Sequence, residues 1–174
     1  MALVVVLKNK EKKHIDEEAA RILIGNVFYE KFIKAKRRYG DFNVSNFELD
    51  FEDLPNNRVF GYSSVEKNGG IGVIVPASFQ LKDLETVIGH ELGHRILISN
   101  DSRFTNTPFS HAIAEGIALD LLGEDKLGVI KGLLNYALDF YNSLSSRIAA
   151  FAVSIYFITS RKDVDEAIKS LVRS

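Results

Sequence analysis

The chain has 174 residues, a formal net charge of −1 and no cysteine. That length suits one domain with its own core, and the near-neutral charge argues against a polyelectrolyte partner such as nucleic acid. The absence of cysteine excludes disulfides and thiolate ligands, so any metal site must use imidazoles and carboxylates.

The apolar start, Ala2 to Leu7, is short and lacks the basic opening and cleavage site of a secretory signal, which makes a cytoplasmic location the default expectation. Leu3 to Leu7 reads as a buried strand. A helix is expected from Asp16 to about Arg38, with Ala20, Leu23, Ile24, Val27, Phe28 and Phe32 at helical spacing and Gly40 as its stop. Its cations Lys31, Lys34, Lys36, Arg37 and Arg38 have no aromatic residues interleaved as a stacking surface. They read as a solvated face favoured by the helix dipole. Phe47 to Phe51 alternates apolar and acidic residues, which predicts a half-exposed strand. Arg58 to Val65 and Ile71 to Val75 are rich in β-formers. Asn68-Gly69 between them predicts a tight hairpin turn with positive φ at both residues, and Pro76 ends the second strand.

From Asp83 onward the chain reads as helical. Asp83 to Ile98 presents Leu84, Ile88, Leu92 and Ile96 on one packing face. A polar loop from Ser99 leads to Thr107-Pro108, an N-cap with a first-turn proline, and the helix behind it runs to Leu122 before Gly123. Leu127, Ile130, Leu134, Ala137 and Tyr141 form a further apolar stripe. Ile148 to Thr159 is apolar almost all round but too short to span a bilayer, so a buried helix is expected, with self-association left open and no membrane contact. Asp163 and Glu166 have capping-box spacing at the head of a last helix ending near Arg173. The expectation is a single α+β domain over residues 1–174, with the sheet and one key helix in 1–98 and a helical subdomain in 99–174.

The chemistry concentrates in His90-Glu91-Leu92-Gly93-His94. Two histidines four apart share a helix face and can hold one ion, with Glu91 beside them as general base toward a metal-activated water. A catalytic zinc site needs a third protein ligand. Glu115, a lone carboxylate on an otherwise apolar helix, is the strongest candidate; its alternative is an ion pair with a cation such as Arg95. His111, one turn before Glu115, is a candidate oxyanion stabiliser or support for the ligands, and Tyr136 and Tyr141 are further oxyanion candidates. Gly89 and Gly93, four apart, suggest that something packs tightly on this helix.

His90 to His94, followed after twenty residues by Glu115-Gly116-Ile117-Ala118, resembles the gluzincin zinc metallopeptidases, and the small size is similar to that of the minigluzincins. The resemblance spans roughly residues 58–122. It implies a zincin-like fold: a small twisted mixed sheet with an edge-strand hairpin, an active-site helix and a helical C-terminal half. It also implies one zinc ion per chain on His90, His94 and Glu115, catalysis through Glu91, and a peptide or protein substrate, with internal cleavage favoured over trimming of ends. Ile71 to Val75 takes the place of the substrate-binding edge strand, with Gly72, Val73 and Ile74 against the substrate. One departure stands out. The aspartate expected four residues after the glutamate is Leu119 here. Asp120 follows one residue later, about 140° round the helix from Glu115, and reads as a solvent residue. This leaves a second reading, a zinc-binding regulatory or latent protein whose helices after Leu122 cover the cleft.

Overall fold

Two separate three-stranded sheets, each mixed, and six helices form an α+β architecture among the described residues; the computed structural model describes residues 3–54, 57–66, 68–100, 107–139 and 142–173. In the first sheet β1 (Leu3–Val6) lies between β2 (Lys12–Ile15), antiparallel, and β6 (Ser78–Gln80), parallel. In the second, β5 (Ile71–Val75) lies between β3 (Phe47–Phe51), parallel, and β4 (Phe60–Ser63), antiparallel. The single sheet expected from the sequence is divided at Pro76, which has no amide hydrogen to continue a ladder. Just beyond it, the Ala77 carbonyl accepts from Val4 N–H at 2.8 Å, carrying the chain into the other sheet.

The strand environments follow their sequences. Ile-Gly-Val-Ile-Val is a continuous apolar run, and β5 is the central, almost wholly buried strand of its sheet. Its flanking strands, Phe-Glu-Leu-Asp-Phe and Phe-Gly-Tyr-Ser, alternate in exposure. The assignment of Ile71 to Val75 as an edge strand is therefore corrected: both of its edges are hydrogen-bonded, and β3 and β4 are the edge strands. The turn differs as well. Gly69 does not adopt positive φ, and its N–H donates to the Glu66 carbonyl at 3.0 Å inside a longer connection.

Four of the six helices start at a side-chain N-cap: Asp16, Thr107, Asp125 and Ser143. Asp16 accepts from Ala19 N–H at 2.8 Å to start α1 (Glu17–Tyr39), and Gly40, at φ 88°, stops it. β6 leads directly into α2 (Leu81–Asn100). Thr107 and Ser110 form a reciprocal capping box at the start of α3 (Pro108–Leu122), and Gly123 ends it in the left-handed region. Then come α4 (Lys126–Leu138), α5 (Leu144–Thr159) and α6 (Val164–Arg173). One core joins all of this. Val73 and Val75 of the second sheet, Ile88 and Leu92 of α2, Ile117 of α3 and Val153 of α5 belong to the same cluster.

Two readings of the helices change. The cations of α1 are not simply a solvated face. Lys31 is buried within 4.0 Å of Glu85, Lys34 donates to the Leu121 carbonyl at 2.7 Å, and Arg38 pairs with Asp120. The last two tie α1 to the carbonyl end of α3, where a cation is favoured. Second, α5 buries only one face: Ala149, Ala150, Val153 and Phe157 are covered, while Ile148, Phe151, Ile155 and Ile158 are exposed. No described helix is long and apolar enough to cross a membrane.

Candidate metal centre

α2 and α3 cross closely because glycine meets alanine at both contact points. A Cβ on Gly93 would stand 2.8 Å from Ala114 Cα, and one on Gly89 3.0 Å from Ala118 Cα. These contacts define an antiparallel register in which each turn up α2 is matched by a turn back along α3. The same register sets one i,i+4 pair, His90 and His94, against another, Glu115 and His111. The tight partner expected for the two glycines is thus α3.

Three imidazoles converge at this crossing. His90 Nε2 lies 3.2 Å from His94 Nε2 and 3.4 Å from His111 Nδ1, and His94 Nε2 lies 3.0 Å from His111 Nδ1. Zinc–nitrogen bonds of about 2.0–2.1 Å at tetrahedral angles require nitrogens about 3.3 Å apart, which these edges approximate. The donor set, three imidazole nitrogens, fits a divalent transition metal. His90, His94 and His111 are also the described residues that group in ligand geometry.

Glu115 occupies a different place from the one expected of it. Its Oε2 stands 3.0 Å from His90 Nδ1, on the ring edge opposite the triangle. A carboxylate there accepts the Nδ1–H of neutral His90 and leaves Nε2 with its lone pair toward an ion. Glu115 is thus placed to orient the His90 ring, and His111 offers a third nitrogen. Arg95 is not its partner: the fully buried guanidinium donates to the carbonyls of Asn43, Ser64 and Glu66, bracing the β4–β5 connection.

The electrostatics of the four groups differ. Burial pulls the His90 imidazole down, but the hydrogen bond and charge of Glu115, with the charge of Glu91, outweigh it and raise its pKa. Burial, reinforced by the charges of His90 and His111, lowers His94 to about 2. His111 is lowered by burial and then by His90. In the Glu91 carboxyl, burial raises the pKa against the pull of His90 and of a Ser63 hydrogen bond.

Glu91 and two of the three histidines face a cleft of about 250 Å³ lined by Gly61, Tyr62, Ser63, Val65, Glu91, His94, Ile98 and His111. One wall is the edge strand β4. At Gly61 the strand passes so close that a Cβ would lie 2.6 Å from Val87 Cγ1 and 2.7 Å from Glu91 Oε1. Every lining residue lies between Gly61 and His111 in sequence, so the described parts of α4, α5 and α6 do not cover this cleft.

The other candidates fall elsewhere. Gly72, Val73 and Ile74 lie in the central strand; Gly72 sits under the Tyr62 ring, whose hydroxyl donates to Glu48 at 2.7 Å. Tyr136 has its ring 6.4 Å from that of His90 and shares a separate pocket with Glu115, Leu119 and Lys131. Tyr141 is outside the described residues. Asp120 is buried, paired with Arg38 and accepting from Tyr39 Oη at 2.6 Å, so the solvent reading of that residue is corrected. Gly61 and Ser63 were missed from the sequence. A glycine and a serine in a β-rich run carry no mark of what crosses them.

No protein-family model, no curated protein and no solved structure matches this chain.

Proposed function

We propose that this chain is a zinc-dependent peptidase that cleaves peptide bonds in extended segments of protein substrates. The observation that carries the reading is the triangle of imidazole nitrogens opening beside a buried carboxylate and an exposed strand edge. His90, His94 and His111 would hold the ion, with Glu115 orienting His90. When bound, zinc supplies a Lewis acid that acidifies water and polarises a carbonyl.

The chain's own groups supply the rest. Glu91 takes a proton from the attacking water and returns it to the leaving amine; its raised pKa makes it a stronger base than an exposed glutamate and keeps it able to carry that proton. The Ser63 hydrogen bond fixes the carboxylate beside β4. An extended peptide adds to the free edge of β4 through main-chain hydrogen bonds, which lays its backbone across Glu91 at Gly61. The half-exposed rings of Phe60 and Tyr62 on that strand offer apolar contact to substrate side chains. The reading keeps the gluzincin-like motif of α2 and replaces the family's third ligand, Glu115, by His111.

Elemental analysis and cleavage assays test it together. Purified protein is expected to carry one zinc per chain and to cut casein or members of a diverse peptide library. Glu91→Gln should keep the zinc and lose cleavage by about 10²–10⁴-fold. His111→Ala should lose the zinc. Protein that takes up no zinc, or cleavage that survives Glu91→Gln, would overturn the proposal.

A further inference from the structure

The outward side of α5 carries Leu144, Ile148, Phe151, Ile155 and Ile158, which are 41–74% exposed. Their spacing runs four, three, four, three, the seam spacing of a coiled coil. The remaining exposed positions of the helix are Ser145 and Thr159, so this side has no charged residue. Arg147, the one charge in the helix, turns back to the carbonyls of Asn142 and Asp139 at 3.2 and 3.0 Å. The opposite side is packed on α3 and α4. Hence α5 has two apolar faces, and the described residues cover one of them.

We propose that the exposed face is where two copies of this chain pair, α5 against α5 about a two-fold axis. The area supports a second copy. The five side chains expose on the order of 500 Å², near the upper end of the largest patch on an ordinary monomer. Two such stripes set together bury about 1,000 Å², the lower bound of a specific interface. Charge supports it too. A two-fold contact sets a surface against itself, and a stripe without charges meets its copy with no like-charge clash and no unpaired ion. Each copy also brings the same four-three spacing, which knobs-into-holes packing requires of both helices. A lipid surface is disfavoured because no lysine or arginine borders the stripe along α5; the nearest exposed cations, Arg161 and Lys162, lie beyond its C-terminal end, whereas amphipathic helices hold anionic headgroups with cations along their length. The cleft beside Glu91 has no lining residue from α5, so pairing leaves it open.

Sedimentation equilibrium of the full chain at micromolar concentrations is expected to give twice the 19.5 kDa of one chain. The double variant Ile148→Glu/Ile155→Glu should raise the association midpoint by roughly 100-fold or more. Its far-UV circular dichroism should be unchanged, because both positions are exposed. A second measurement does not rely on that variant. The chain has no cysteine, so Phe151→Cys at the middle of the stripe should cross-link to its own copy on mild oxidation. A parent chain that stays monomeric over this range would overturn the proposal, as would a dimer that persists in the glutamate variant. Binding of a monomer to anionic vesicles, lost in the same variant, would assign the face to a membrane surface and overturn it equally.

Discussion

The two sides of α3 each carry a buried or half-buried carboxylate, and they use it differently. Glu115 faces α2 and meets an imidazole; Asp120, five residues on, faces α1 and meets a guanidinium and a phenol. The first contact orients a ring whose other nitrogen faces two further imidazoles. The second ends within the fold, joining α1 to α3. The same chemistry on one helix therefore serves positioning on one side and cohesion on the other. What separates the roles is whether the partner has a second face open to a ligand. His90 does, through Nε2; Arg38 and Tyr39 close on Asp120.

Substitutions on the two sides should separate accordingly. The largest effect on stability is expected from Asp120→Ala, which strands the Tyr39 hydroxyl and the half-exposed Arg38 and should cost about 2–3 kcal/mol in urea unfolding of metal-free protein. Zinc affinity should be nearly unchanged. A loss of zinc on the same scale would break the comparison. Next is Gly93→Ala, whose Cβ would press on Ala114. Separating α2 from α3 should cost about 1–3 kcal/mol and also weaken zinc binding, because the same crossing sets the nitrogen triangle.

Glu115→Gln is expected to lower zinc affinity by about 10–100-fold, read by competition with a chelating dye, while moving unfolding stability by less than about 1 kcal/mol. A complete loss of zinc, equal to that of His111→Ala, would instead make Glu115 a ligand.

The most gradual effect is that of pH. His94 is held at about 2 in the fold against 6.5 for a free imidazole, and His111 is lowered as well. Below pH ~6.5 the unfolded chain binds protons that these two folded sites refuse, so metal-free stability should fall as pH falls from there. His90, raised by Glu115, works in the opposite direction: its folded-state proton stabilises below the unfolded pKa, and that gain is lost as pH rises through the folded one. Two lowered sites against one raised should leave a net loss of stability on acidification. In Glu115→Gln the opposing contribution of His90 is removed, so the acid loss should steepen. An unchanged slope would show that Glu115 does not hold the His90 proton.

Much of the local structure was legible before any coordinates. Asp16, Thr107, Gly40 and Gly123 mark helix ends through caps that act within a turn of the chain. The apolar periodicity of α2 marked its buried face, and His90, Glu91 and His94 shared one turn by spacing alone. These are short-range consequences of helix geometry, and residue order suffices to specify them. Other facts depend on residues far apart in sequence. The identity of the edge strand turned on which strand found two partners. The place of Glu115 behind His90, and of His111 among the nitrogens, followed from the register in which Gly89 and Gly93 admit Ala118 and Ala114. Asp120 looked like a surface residue until α1 covered it with Arg38 and Tyr39. α5 reads as fully buried because its composition is apolar on every side, yet burial is a property of what lies against a face, and among the described residues only one face is covered. Periodicity and caps are encoded within a few residues. Partners are chosen by packing across the whole molecule, where a close glycine contact or a neighbouring helix settles what a side chain can touch.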